Sequence, residues 1–157
     1  MPVRKTTVSI PPEIAQAMDS RNDQFSTAIS RSLARYISLL HTTRRALAER
    51  FTPGECGLIL DSCNGVMFAD MLSVRIMEYG IQDSISLDHL DDKWEVDGAD
   101  LIAKLAALTL VEKIAVIDAV ECWWNRVANG EQPEYGELLT GHPDDKLAAT
   151  AGNMYLV

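Results

Sequence analysis

The sequence predicts a mainly α chain in two unequal parts: a short strand and two helices over residues 1–50, then an acidic all-helical domain over 51–140 and a tail over 141–157. Three observations predict it. Side chains alternate over 4–10 and the alternation stops at Pro11-Pro12; apolar residues recur at helical spacing from Ile14 to Leu47; and two Thr-x-x-Glu helix starts stand at Thr52 and Thr109. With 157 residues, 47% of them apolar, the chain is long enough to bury real cores. No stretch free of Asp, Glu, Lys and Arg exceeds 11 residues, so neither a transmembrane span nor a secretory apolar region is expected.

The strand is Arg4-Lys5-Thr6-Thr7-Val8-Ser9-Ile10, with Thr6, Val8 and Ile10 on one face and Lys5, Thr7 and Ser9 on the other. Neither Pro11 nor Pro12 can donate to a ladder, and Pro12 suits a first helical turn. Glu13 is favourable there, and Ile14, Ala17 and Met18 give the stripe of a helix of about ten residues. Ser20 to Gln24 breaks it. A second helix is expected from Ser26 as N-cap, with Ile29, Leu33, Tyr36, Ile37, Leu40 and Leu47 as its apolar stripe and Arg31, Arg35, Arg44 and Arg45 off it. It runs to about Arg50 or breaks near Thr42-Thr43.

A formal net charge of −9 argues against a nucleic-acid partner until it is placed along the chain. Residues 1–50 carry eight basic and four acidic side chains, or +4, whereas the remainder carries six and 19, or −13. Such asymmetry implies two functional surfaces. Cys56, Cys63 and Cys122 are an odd set without CxxC spacing, which predicts buried thiols and a reducing cytoplasm rather than disulfides. The histidines at 41, 89 and 142 make no metal-ligand pattern, and no metal or cofactor is expected.

A lone seven-residue strand is not stable unpaired, so the economical arrangement is an antiparallel pair with the same strand of a second chain. Its outward face would repeat Lys5, Thr7 and Ser9 about a two-fold axis, a ribbon that fits the major groove of B-DNA. Here KTTVSIPPEIAQAMD and FSTAISRSLARYI, in this order and spacing, resemble the ribbon-helix-helix family of MetJ/Arc-like repressors over about residues 3–40. The resemblance implies base contacts from Lys5, Thr7 and Ser9. It implies a phosphate clamp at Ser26 and Thr27, where the family often has glycine two residues earlier and this chain has Gln24. Arg4 is a further candidate for phosphate, and Val8, Ile10, Ile29, Leu33, Tyr36 and Ile37 would form the dimer core. It also implies double-stranded DNA with a palindromic operator as partner, a homodimer or higher homo-oligomer, and a bacterial, plasmid or phage origin.

In the second part, Phe51 to Glu55 and Leu58 to Asp61 are echoed by Leu108 to Glu112 and Ala115 to Asp118 at a constant offset of 57. Each copy opens with a capping box; a duplication and two ordinary helix starts explain the echo equally well. A helix is expected over Asp97 to Ala107 with Asp97 as N-cap, and another over Met71 to Tyr79, while Ile85 to Asp97 reads as an acidic loop. Asp61 and Asp118 read as exposed helix-face charges, and the cluster Asp88, Asp91, Asp92, Glu95, Asp97 and Asp100 as a solvated surface without the order of an EF-hand. Adjacent Trp123 and Trp124 point about 100° apart, which sends one of them to an interface. The sequence carries no glycine-rich phosphate loop, nucleophile–base pairing or HExxH, so catalysis is not expected. The function expected is a DNA-binding transcriptional regulator, a repressor, whose acidic domain oligomerises or binds an effector or protein partner. The alternatives are an antitoxin that neutralises a partner protein through residues 51–157, and a plasmid or phage DNA-maintenance protein.

Overall fold

Pro53–Cys63 is apolar on nearly every side, and a helix of that kind belongs in the middle of a fold. The computed structural model, which describes residues 7, 9–20, 24–63, 74–142 and 145, puts it there. In chain order the helices are α1 (Pro12–Asp19), α2 (Phe25–Ala48), α3 (Pro53–Cys63), α4 (Val74–Asp88), α5 (Leu90–Trp94), α6 (Gly98–Ala106) and α7 (Leu110–Ala128), followed by a 3-10 turn at Tyr135–Glu137. Leu58, Ile59 and Leu60 of α3 are all buried, and α4, α5 and the 3-10 turn pack around them. The second packing unit is α2 against α7. Leu40, Leu47, Val116 and Val120 join the two units into one apolar cluster with Leu101, Leu105 and Ile81.

The expected strand is not there among the described residues. Among the described residues the chain is all-helical: Thr7, Ser9 and Ile10 have no strand partner, and residues 1–6 and Val8 lie outside the described ones. Alternation over so few residues, closed by Pro11-Pro12, does not make a strand when no second strand pairs with it. The fold class is therefore all-helical, and the ribbon expectation is withdrawn.

Both capping boxes form as the sequence predicts. Thr52 N–H donates to Glu55 Oε2 at 2.8 Å and Glu55 N–H to Thr52 Oγ1 at 3.2 Å. The Thr109–Glu112 pair repeats this at 2.8 and 3.3 Å. The Thr109 backbone N–H is the largest of the influences that hold the Glu112 carboxyl below its usual range. Asp97 caps α6 by accepting from the Asp100 N–H at 3.0 Å, again as predicted. Pro12 opens α1.

Other boundaries differ. The N-cap of α2 is Gln24, with no side-chain hydrogen bond, so Ser26 lies inside the first turn rather than capping it. α2 does not break at Thr42-Thr43; the Thr43 hydroxyl donates to the Leu39 carbonyl at 2.8 Å and the helix continues to Ala48. α4 extends to Asp88, beyond the expected Tyr79, and the expected acidic loop contains α5. α5 is bracketed by left-handed backbone at His89 (φ 50) and Glu95 (φ 53). Glycine usually supplies such a stop, and none stands here to signal it.

An aromatic seam closes the lower side of α3. Trp94 of α5 meets Tyr135 edge-on at 4.7 Å, and Tyr135 stacks on Trp123 at 5.3 Å. Trp123 Nε1 donates to the Glu134 carbonyl at 3.2 Å, and Trp124 packs edge-on to Trp123 at 4.9 Å. Trp123 is buried, and Trp124 is partly buried against the same core. Trp94 Nε1 donates to Asp61 Oδ2 at 3.0 Å, and Lys93 pairs with the same carboxylate. Asp61 is thus a partly buried acceptor rather than a solvated charge.

Two outcomes follow. A Cβ on Gly57 would meet ring carbons of Trp94 at 2.6 Å or less, and that ring is pinned by Tyr135 and Asp61. Gly57→Ala should lower stability by about 1–3 kcal/mol in urea melts, outweighing a helix-propensity gain of about 1 kcal/mol. Burial pushes the Cys56 thiol up to about 11 and the Cys63 thiol up to about 12. At pH 8 a thiol reagent should leave both unmodified in the native protein and reach them only on unfolding.

Candidate functional site

The long helix α2 has two halves with different surroundings. Its C-terminal half is in the core, with Leu40 and Leu47 buried against α7. Its N-terminal half is much more open: Leu33 is 54% exposed, Tyr36 45% and Leu39 47%. α1 packs against α2 but buries none of its own residues, and Ile14 is 52% exposed. The apolar side chains at these positions form a face that this chain leaves largely uncovered.

The sequence-predicted residues distribute over this region as follows. Thr7 and Ser9 are exposed, Ile10 is half-buried, and Arg4, Lys5 and Val8 lie outside the described residues. Ser26 and Thr27 are exposed in the first turn of α2. Ile29 and Ile37 are half-buried beside the more open Leu33 and Tyr36. Tyr36 also faces its own α7: burial first, then the charges of Asp118 and Glu121, raise its pKa.

A second constellation was not expected. Arg44, read from sequence as an off-stripe surface charge, is 2% exposed. Its Nη1 donates to Asp118 Oδ2 of α7 at 3.0 Å, and its Nη2 stands 3.9 Å from Asp145 Oδ1. Asp145 accepts from His41 Nδ1 at 2.9 Å, and buried His142 brings Nε2 to 3.6 Å from Asp118 Oδ2. Asp118 is therefore the partner of a buried guanidinium and not a free helix-face charge. Arg44 was detectable in principle: it lies four residues after Leu40 and three before Leu47, in phase with the apolar stripe. Its partners, 74 and 101 residues downstream, carry no such signal.

Around this cluster is a cleft of about 270 Å³ lined by His41, Arg44, Arg45, Leu139, Thr140 and Asp145. Elsewhere, His89, Asp91 and Asp92 bring ligand atoms within 4.8 Å of one another, with His89 and Asp92 exposed to water. Two exposed side chains and one half-buried carboxylate are a common surface grouping and do not make a built metal centre.

Compared with protein-family models, with curated proteins and with solved structures, the chain matches none. No helix among the described residues is long and apolar enough to cross a membrane.

Removing Arg44 takes a hydrogen-bonded guanidinium from Asp118 and opens the α2–α7 contact. Asp118 keeps some water, its side chain being 31% exposed, so the loss should fall at the lower end of the range for broken buried pairs. Arg44→Ala should cost about 3 kcal/mol, read as a lower urea midpoint with an unchanged slope.

Proposed function

We propose that this protein is a DNA-binding regulator acting as a homodimer, its basic amino-terminal segment directed at DNA and its acidic helical part turned away. The observation that carries the reading is the uncovered apolar face of α1 and α2, with Ile14, Leu33 and Leu39 about half exposed, within the segment that holds the chain's positive charge. A second copy is the fitting occupant. Apolar faces meeting about a two-fold axis would bring together the basic side chains of two amino-terminal segments that are not already paired, as Arg44 and Arg50 are with Asp118 and Glu112. That concentration of charge attracts phosphates despite the net −9, because screening confines each region's field to roughly 8–10 Å.

The DNA contacts in this reading need no sheet. Lys5 donates to base acceptors, Thr7 and Ser9 offer hydroxyls to base edges, and Arg4 neutralises phosphate. The first turn of α2 supports a phosphate contact at Ser26 and Thr27, since both are exposed and Gln24 places no side-chain cap over the backbone N–H groups. A repressor's operator would be palindromic, matching the two-fold axis.

The test is selection of bound sequences from genomic and randomised DNA pools. A palindromic motif should emerge, and Lys5→Ala should weaken binding to it by about 1–3 kcal/mol. Affinity should fall steeply with salt. Leu33→Asp should abolish both dimer and binding while leaving the helical circular dichroism spectrum intact. Enrichment of neither pool would reject the reading.

A further inference from the structure

We infer that the cleft between α2 and the segment after the 3-10 turn is a binding site for a small molecule bearing a carboxylate, and that Asp145 occupies it when that molecule is absent. The inference does not depend on DNA binding.

The argument starts from Arg44. Its side chain is 2% exposed, and only Nη1 has a hydrogen-bond acceptor, the Asp118 carboxylate; Nε and Nη2 have none. Buried donors of a charged group left in that state are costly, and native proteins seldom keep them without a ligand, an ion or a functional reason. Asp145 is the carboxylate on hand, but at 3.9 Å from Nη2 it is too far to accept a hydrogen bond. It is held off by its own contacts, accepting from His41 at 2.9 Å and donating its backbone N–H to the His142 carbonyl at 3.0 Å. The arrangement is an anion site filled loosely by the chain's own side chain.

The class of ligand follows from what stands in for it. A carboxylate already faces Arg44 here, and a free carboxylate could approach to the 2.7–2.9 Å usual for charge-assisted pairs, which the tethered Asp145 does not reach. With Asp145 displaced, Asp118 stays on Arg44 Nη1, while Nε and Nη2 form the flat two-donor edge of the guanidinium that has no acceptor. A carboxylate accepts from both of those donors in one plane, and Arg45 adds a cation to the lining. His41, released from Asp145, gains a free ring N–H to offer, Thr140 brings a hydroxyl to the lining, and buried Leu139 supplies an apolar wall. At about 270 Å³ the cleft is slightly smaller than the roughly 300–1,000 Å³ of drug-sized sites, so the molecule is small.

Titration of the full-length protein with sodium benzoate and sodium succinate, followed by NMR of the arginine Nε–H and backbone amide signals, tests this. Inorganic phosphate and chloride at matched ionic strength are the comparison probes. A saturable shift at Arg44 and Thr140 with a carboxylate, absent with chloride and weaker with phosphate, is the expected result. Asp145→Ala should tighten carboxylate binding about tenfold, because it removes the competing occupant. Arg45→Ala, at an exposed position, should weaken it about fivefold. Neither change touches the Arg44–Asp118 pair, so both variants should keep the native melting cooperativity. No saturable shift below about 10 mM in either the native protein or Asp145→Ala would overturn the inference. So would equal or tighter binding of phosphate, or an affinity unchanged by Asp145→Ala.

Discussion

An arginine side chain with 2% of its surface exposed fixes the geometry of this molecule. Arg44 is carried into the α2–α7 contact by its phase on α2, and a buried charge must find its counter-charge close by. Asp118 supplies it from the middle of α7, which sets the axial register of the two longest helices. The same register aligns the end of α2 with the start of α7, where Arg50 pairs with Glu112, itself engaged in the Thr109 capping box. Electrostatic pairing and helix initiation thus specify one alignment together, the kind of agreement between local and global preference that marks a foldable sequence.

The other half of the core depends on shape. α3 is charged only at Glu55 and Asp61, so its rotation is set by the partners of those two carboxylates and by what fits against the rest. Gly57 admits the six-membered ring of Trp94, Asp61 receives the indole N–H, and Tyr135 meets the ring edge-on. Lys104 completes the top of α3 by bridging the Glu55 carboxylate and the Arg50 carbonyl, its ammonium 4.9 Å from the centre of the Phe51 ring. These are contacts between residues tens of positions apart, yet each uses a group with few alternative partners.

What the sequence made legible divides along that line. Features whose physics is local were readable: the boxes at Thr52–Glu55 and Thr109–Glu112, the Asp97 cap, Pro12 at the start of α1, and the burial of Cys56 and Cys63. The strand expected over 4–10 is absent among the described residues, because alternation in seven residues is a weak signal without a partner strand. α5 escaped notice because left-handed stops at His89 and Glu95 lack the usual glycine. Arg44 was in phase with the apolar stripe, but its charge argued for the surface more loudly than its position argued for the core. His41 and Asp145, 104 residues apart, could be joined only by the fold.

The continuity of α2 through Thr42-Thr43 has a mechanical consequence. An unbroken helix transmits a rotation along its whole length, and here one end is anchored at Arg44 while the first turn lies 19 residues away. At 1.5 Å of rise per residue that arm is about 28 Å, so a tilt of roughly 10° at the anchor would sweep Phe25 through about 5 Å. That is comparable to the spacing of one helical turn and larger than any hydrogen bond tolerates. Small changes of angle at buried Arg44 would thus be large ones at the first turn of the helix.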